Sequence, residues 1–129
     1  MVVELADPVV LPVTPAGTRV IVEVNDFRVE GERLRGTMKG RAAADWLTIG
    51  AEGTATVDVR ATMETEDGCV VFVSYLGRGD FSQGLGAPLY TTPRFEAGDD
   101  RYGWLNKVQA VAKGTMAGTT LTYEVYELR

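Results

Sequence analysis

The chain has 129 residues, a formal net charge of −5, 45% hydrophobic residues and 24% charged residues. This length and composition are typical of one globular domain, residues 1–129, with a core of its own. The acidic charge argues against nucleic acids and anionic membrane surfaces as partners, because both are bound by clustered Lys and Arg. No apolar run reaches the length of a membrane span and no secretory signal pattern is present, so a cytoplasmic protein is the default expectation.

Histidine is absent from the sequence, and Cys69 is its only cysteine. The commonest general base and the usual ligands of zinc are therefore missing, and Ser-His-Asp and Cys-His catalysis are excluded. We expect no metal ion and no cofactor. Any acid–base chemistry must use Asp, Glu, Tyr, Lys or Arg side chains.

The first part of the chain shows patterns typical of strands. Prolines interrupt the apolar run 9–13, which indicates an edge strand or an extended arm within residues 1–15. Residues 18–25 alternate between apolar and polar side chains, which predicts a strand. A turn then leads into a hairpin strand at 33–39, and a short strand follows Asp45 and ends at Gly50.

The most regular alternation lies in residues 54–64, whose apolar face consists of Ala55, Val57, Val59, Ala61 and Met63. Asp67-Gly68 is a strong hairpin signal, and residues 69–76 form the returning strand. The glycine-rich residues 77–88 predict a loop, either a mobile lid or a long connection, and their spacing matches no phosphate-binding motif.

The last part of the chain predicts three more strands, at 89–95, 104–112 and 119–128, with one helical turn at 98–102. Residues 113–118 are expected to connect the last two strands. No segment has sustained helical periodicity, so the predicted fold is all-β, either a sandwich or a closed barrel. We predict a single antiparallel β-barrel of eight to nine strands with at most one short helical turn. Closure removes exposed strand edges, and a barrel of this size can enclose one small ligand.

Asp58 and Arg60 are the sharpest polar pair, because residues two apart on a strand face the same side. If that side faces outward, the two form a solvated ion pair of little energetic value. If it faces a cavity, Arg60 could hold a carboxylate, enolate or phenolate while Asp58 keeps it in place.

Further candidates lie near the barrel ends. Asp45, beside Trp46, either caps a turn or acts as a general base whose pKa is raised by its surroundings. Glu124 and Tyr126 share one face of the last strand, where they are either exposed or able to act as base and acid.

The segment from Leu89 to Asn106 combines aromatic rings with hydrogen-bonding side chains on a predicted connection, where binding residues concentrate. The alternative is that the rings close one end of the core. We expect ligand-binding residues both in this segment and on the earlier strands. They are Trp46 and Asp58 on the strands, and Tyr90, Arg94, Phe95, Tyr102, Trp104 and Asn106 in the segment.

Three stretches resemble a known family: residues 31–46 ending in Ala-Asp-Trp, the strand 57–60 with its turn at 66–68, and above all residues 90–106 with Phe-Glu followed by Trp-Leu-Asn. They are similar to the small bacterial and fungal proteins of domain-of-unknown-function family 3237, as is the closing Tyr-Glu-Val-Tyr-Glu-Leu. The resemblance implies a β-barrel akin to allene oxide cyclases and dirigent proteins, which are cofactor-free and typically oligomeric. We therefore expect a homo-oligomer.

These observations give three functional hypotheses. The first is a cofactor-independent isomerase, cyclase or lyase that binds a small aromatic or polyketide-like molecule. In it, Arg60 would hold an oxyanion, and Asp45 or Glu124, with Tyr126, would transfer protons. The second is a non-catalytic carrier of the same kind of small-molecule ligand. The third is a structural oligomer without a ligand.

Overall fold

The computed structural model describes residues 1–129 and contains eleven strands and one 3₁₀ helix, Asp100–Lys107. The strands are β1 (Val2–Leu5), β2 (Val9–Thr14), β3 (Gly17–Glu30), β4 (Arg35–Met38), β5 (Ala44–Ile49), β6 (Thr54–Thr65), β7 (Val70–Asp80), β8 (Leu89–Thr91), β9 (Arg94–Ala97), β10 (Ala110–Ala117) and β11 (Thr120–Glu127).

Eight of the strands close into an antiparallel barrel in the order β6-β5-β3-β1-β11-β10-β8-β7, with β7 pairing back onto β6. The other three strands lie beside this ring. Strand β2 pairs with β3, β4 pairs with both β3 and β6, and β9 pairs with β7. The predicted all-β fold, an antiparallel barrel of eight to nine strands with one short helix, is confirmed.

The barrel interior is filled by one side of each strand, as period-two patterning requires. On β6 the residues from Ala55 to Met63 that alternate with polar ones are all buried, and Val57 and Met63 have no exposed surface. Strand β7 places Val71, Val73 and Tyr75 against them. Alternation thus predicted the inner face of β6 correctly.

The chain differs from the prediction after residue 76. Strand β7 continues to Asp80, where a loop was predicted, because Gly77 and Gly79 leave room for β8. A Cβ atom on Gly77 would lie 2.5 Å from the Thr91 side chain, and one on Gly79 would lie 2.6 Å from Leu89. The glycines that indicated a loop therefore allow two strands to approach closely.

The predicted strand 104–112 and the predicted connection 113–118 are both wrong in part. Residues 104–107 belong to the 3₁₀ helix, and β10 runs through residues 113–117. The helix begins after Asp99, whose carboxylate accepts a hydrogen bond from the Arg101 backbone N–H at 2.9 Å. It packs Leu105, 2% exposed, into the core. No helix in the structure has the length and apolar character needed to cross a membrane.

Candidate functional site

Arg60, Asp58 and Trp46 lie together on the outside of the barrel. The Arg60 guanidinium is 3.7 Å from the Asp58 carboxylate, and their side chains are 59% and 37% exposed. The guanidinium also lies 5.6 Å from the centre of the Trp46 ring. The outward alternative described above is therefore the observed one, because Val57 and Val59 occupy the interior. An oxyanion held inside the barrel is out of reach of Arg60.

Asp45 lies on the inner side of β5, opposite Val59 of β6. Its Oδ1 atom accepts a hydrogen bond from the Asp58 backbone N–H at 3.0 Å. Between Asp45 and Thr48 the β5–β6 ladder is interrupted, since paired residues occur only at its two ends. The carboxylate thus replaces a backbone carbonyl as partner of the Asp58 N–H.

Burial raises the pKa of the Asp45 carboxyl from its ordinary value of 3.8 to about 6. The hydrogen bond from Asp58 N–H opposes this rise, and the negative charge of the Asp58 side chain adds to it. Asp45 is therefore a partly buried acid that can exchange a proton near neutral pH.

Two tyrosines, Tyr75 and Tyr123, share the interior with Asp45. Val59 pairs with Asp45 on one side and with Tyr75 on the other, so these residues form a row across β5, β6 and β7. The two tyrosine rings meet edge to face, with centroids 5.4 Å apart and an angle of 67°. Burial is the main cause that raises the pKa of both phenols, and the charge of Asp45 adds to it, whereas the hydrogen bond with Tyr75 partly lowers the pKa of Tyr123. Both hydroxyls therefore stay protonated.

Sequence reasoning missed both tyrosines as site residues. Tyr75 shares the alternation of Val71 and Val73, and Tyr123 shares that of Leu121, so each looked like ordinary core. The usable signal was a polar hydroxyl on a strand face that is otherwise apolar. Gly114, opposite Tyr123 on β10, was a second signal, because a Cβ atom there would lie 2.6 Å from the Tyr123 ring.

A cavity of about 630 Å³ opens between the β3–β4 connection, the 3₁₀ helix and the end of β11. Twelve of its 19 lining residues are hydrophobic, which is the usual character of a small-molecule site. Its walls include Val73, Phe95, Trp104, Leu105 and Tyr123, and its outer part includes Glu124 and Tyr126. Asp45 and Tyr75 do not line it, so Tyr123 is the contact between the cavity and the buried row.

Arg33 and Glu127 lie at the same cavity beside Trp104. The Arg33 guanidinium stacks 3.8 Å from the centre of the Trp104 ring. Its Nη1 atom donates to Glu127 Oε2 at 3.0 Å. Neither residue was a candidate in the sequence, because residues almost a hundred positions apart meet only when the barrel closes.

The remaining predicted binding residues have other positions. The Asn106 side chain donates to the Ala97 carbonyl at 2.9 Å and accepts from the Ala97 N–H at 2.8 Å, which fixes the 3₁₀ helix to β9. The Tyr102 hydroxyl donates to Asp67 Oδ1 at 2.8 Å. Arg94 is exposed on β9. Tyr90 is 58% exposed and lines a separate, more open groove of about 660 Å³.

The structure contains no group of three or more His, Cys, Asp or Glu side chains arranged to hold a metal ion. The groups that line the cavity and could take part in chemistry are carboxyls, phenols, aromatic faces, the Arg33 guanidinium and the Met1 amino group. Together they can bind an apolar molecule, donate hydrogen bonds to an oxygen and exchange a proton.

Residues 1–128 match the family described as "Protein of unknown function (DUF3237)". The chain belongs to this family. The predicted resemblance is thereby confirmed, and a search of curated proteins gives no match for this DUF3237 protein.

Solved structures resemble the chain over almost its whole length. A β-barrel-like protein from Acinetobacter baumannii is 26% identical with a TM-score of 0.87, over 99% of this chain and 90% of that one. A protein of unknown function from Clostridium acetobutylicum is 14% identical with a TM-score of 0.90, over 99% and 93%. A structure described as an enzyme from Penicillium herquei is 21% identical with a TM-score of 0.71, over 98% and 90%. The last two establish similarity of fold alone.

Proposed function

We propose that this DUF3237 protein is a cofactor-independent enzyme that binds a small aromatic or polyketide-like molecule in the 630 Å³ cavity and transfers a proton within it. Isomerisation, cyclisation and elimination are the reaction types that such a site serves. One observation carries the proposal. Asp45 is a partly buried carboxyl on the inner side of β5 whose pKa is raised to about 6, and its charge acts on Tyr123, which lines an apolar cavity.

The roles follow from the protonation states. Above about pH 6 Asp45 is ionised and acts as the base. Tyr123 remains protonated because its pKa is raised, so its hydroxyl donates a hydrogen bond to the oxyanion that forms on the substrate. The reacting part of the substrate must pass Tyr123 to reach Asp45, while its body rests against Phe95 and Trp104.

Glu124 and Tyr126 are proposed as a second proton-transfer pair at the outer part of the cavity, where both line its wall. The predicted oxyanion role of Arg60 passes to Tyr123 in this proposal, because Arg60 lies outside the barrel. The description of the Penicillium herquei relative as an enzyme supports catalysis, although its identity of 21% carries no reaction to this chain.

A carrier protein is the second candidate, and one observation favours it. Asp45 does not line the cavity, so a ligand can fill the cavity without contacting the base. A carrier would bind the same molecules and release them unchanged.

Hydrogen–deuterium exchange tests the proposal without knowledge of the natural substrate. The probe is 2-tetralone, an aromatic ketone with acidic C–H bonds, incubated with the protein in D₂O and followed by proton NMR. We expect the wild-type protein to accelerate exchange. Asp45→Asn should lower the protein-dependent rate by about a hundredfold or more, the usual contribution of a general base, and Tyr123→Phe by about tenfold or more.

Arg60→Ala is the matched control, since it removes a charged side chain outside the cavity and should leave the rate unchanged. Binding of 2-tetralone without exchange would establish the carrier instead. Exchange that survives in Asp45→Asn but is lost in Arg60→Ala would contradict the proposed site.

We also propose that the protein is a homo-oligomer located in the cytoplasm. Support for association comes from β2, which exposes four apolar side chains on the outside of the barrel: Val9, Val10, Leu11 and Val13. The cytoplasmic location stays a prediction from the sequence.

A further inference from the structure

We infer that the 630 Å³ cavity selects organic cations, that is, amines with an aromatic body, over carboxylates of the same shape. This inference deepens the proposed function and rests on its claim that the cavity binds a small aromatic molecule. It adds the charge of the ligand, which neither the fold nor the family supplies.

The first observation is that a cation already occupies part of the cavity wall. The Arg33 guanidinium lies 3.8 Å from the centre of the Trp104 ring and forms an ion pair of 3.0 Å with Glu127. An indole face beside a carboxylate is the arrangement that holds ammonium groups in proteins. Arg33 is half exposed, with 52% of its side chain accessible, so a ligand ammonium can replace it on the ring.

The second observation is the balance of charges around the cavity. Its lining contains one basic side chain, Arg33, together with the Met1 amino group, against four carboxylates, Glu30, Glu32, Glu124 and Glu127. The Met1 amino group donates a hydrogen bond to the Tyr123 carbonyl at 2.8 Å, and burial lowers its pKa. Four negative groups against two positive ones leave an excess of two negative charges.

Two arginines outside the lining, Arg28 and Arg129, pair with carboxylates of the lining, so a cation is favoured by where the unpaired carboxylates lie. Glu30 is paired with Arg28 at 3.0 Å, and Glu127 is paired with Arg33 and also with Arg129. Glu32 and Glu124 take part in no ion pair. An ammonium ligand therefore finds carboxylates without partners, whereas a carboxylate ligand has to take Arg33 away from Glu127.

A third observation lies deeper in the cavity. Tyr123 lines the cavity and is 3% exposed. The side chains that shift the pKa of its hydroxyl are Tyr75 and Asp45. A hydroxyl offers one donor and two acceptor positions, so Tyr123 retains capacity for a hydrogen bond to the ligand. The negative charge of Asp45 acts on this hydroxyl, which again disfavours an anion.

The expected preference is about tenfold or more. An exposed ion pair contributes little to binding, and a cation over an indole ring contributes somewhat more. The Trp104 face, the unpaired carboxylates and the charge of Asp45 together reach this size. High salt should reduce the preference, because it screens charges at the cavity mouth more than it affects apolar contacts.

The test uses three probes of matched shape: 3-phenylpropan-1-amine, 3-phenylpropan-1-ol and 3-phenylpropanoate. Binding is followed by the fluorescence of Trp104 in a Trp46→Phe background, which leaves one tryptophan in the chain. We expect the amine to bind at least about tenfold more tightly than the carboxylate, with the alcohol in between, and the ratio to shrink in 1 M salt.

Variants separate the contributions. Glu124→Gln and Glu32→Gln should each lower the amine-to-carboxylate ratio severalfold while the alcohol binds as before. Glu52→Gln, an exposed change in the β5–β6 turn, is the matched control and should leave the ratio unchanged. Arg33→Ala should leave amine binding intact or strengthen it, because it vacates the Trp104 face.

Carboxylate binding as tight as amine binding, lost in Arg33→Ala, would overturn the inference and make Arg33 an anion-binding residue. Binding of the alcohol with no charge preference would overturn the inference while the proposed binding function stands. Failure of all three probes to bind would overturn both.

Discussion

Asp45 is a residue whose burial destabilises the folded protein at neutral pH but gives the carboxyl the pKa that the proposed proton transfer needs. Its side chain lies inside an apolar barrel, and its ionised form is disfavoured there because water is excluded. The Asp58 N–H offsets part of this cost through a hydrogen bond of 3.0 Å. A carboxyl group placed in this way lowers the stability of the fold at neutral pH, and we propose that its value lies in its protonation behaviour.

This placement predicts how stability depends on pH. The folded-state pKa of Asp45 is about 6 against 3.8 in the unfolded chain, so between these values the folded form holds a proton that the unfolded form has released. Its contribution to the free energy of unfolding therefore falls as pH rises from about 4 to 6. Asp45→Asn keeps the acceptor for the Asp58 N–H and should be more stable than wild type by about 2 to 3 kcal/mol above pH 7.

Urea denaturation at pH 4 and pH 7.5 measures this difference. The two proteins should be nearly equal in stability at pH 4. Asp26→Asn, at an exposed position of β3, is the control and should show no such pH-dependent gain. Equal stability of Asp45→Asn and wild type at both pH values would show that the Asp45 pKa is not raised.

Among single residues, the sequence singled out Asp45 as a candidate for the site but not the two tyrosines that share the barrel interior with it. Asp45 was visible because a charged residue after small residues and before a tryptophan is conspicuous. Tyr75 and Tyr123 were hidden, since alternation describes a core tyrosine and a site tyrosine identically. The outward orientation of Arg60 was the alternative that alternation favoured, because Val57 and Val59 lie inside, but the catalytic role predicted for Arg60 required the inward one.

The 3₁₀ helix is the element on which the cavity depends, because Trp104 and Leu105 form part of its wall. Its position is fixed at both ends. Asn106 bonds both backbone groups of Ala97, and Tyr102 bonds Asp67 in the β6–β7 turn. A helical turn was predicted at 98–102, but residues 104–107 looked like the start of a strand, because a 3₁₀ helix of eight residues has little periodicity and its stability comes from distant contacts.

Asn106→Ala should loosen this element. The substitution removes both hydrogen bonds to Ala97 at an exposed site, where water replaces them in part, so we expect a loss of about 1 kcal/mol. Thermal denaturation and amide exchange at the Ala97 N–H measure the effect, and exchange there should accelerate. Asn25→Ala, at an exposed β3 position, is the control. Unchanged exchange at Ala97 would contradict the proposed anchoring role.

Gly114 predicts a second effect at the scale of one strand pair. A Cβ atom at this position would lie 2.6 Å from the Tyr123 ring, which is buried and cannot move freely. Gly114→Ala should therefore cost about 1 to 3 kcal/mol of stability and weaken ligand binding at Tyr123. Gly86→Ala, where a Cβ atom meets nothing within 4 Å, is the matched control. A neutral Gly114→Ala variant would show that Tyr123 is not fixed by this contact.

At the scale of the whole molecule, a closed barrel could be predicted from the sequence, whereas the strand order and the position of the cavity could not. The count of alternating segments left a sandwich or a closed barrel, and the resemblance to family 3237 favoured the barrel. The strand order, with β1 between β3 and β11, followed from no local pattern. The cavity likewise forms only where the β3–β4 connection, the helix and β11 meet.

The outer surface predicts association between copies. Val9, Val10 and Val13 of β2 are 57%, 51% and 92% exposed, more apolar surface than one edge strand usually leaves in water. We expect light scattering to give a multiple of the 14.0 kDa chain mass. The double variant Val10→Lys with Val13→Lys should lower this mass and keep the β spectrum. Val70→Lys, 49% exposed on β7, is the control. A wild-type mass of one chain would contradict oligomerisation.

The proposed function depends most on one property, proton transfer by Asp45 to or from a substrate in the cavity that Tyr123 lines. The pH–rate profile of deuterium exchange into 2-tetralone measures this transfer directly. We predict a protein-dependent rate that rises with a midpoint near pH 6, as Asp45 loses its proton, and that disappears in Asp45→Asn. A rate with the same midpoint in Asp45→Asn, or bound 2-tetralone that exchanges no faster than in buffer, would contradict it.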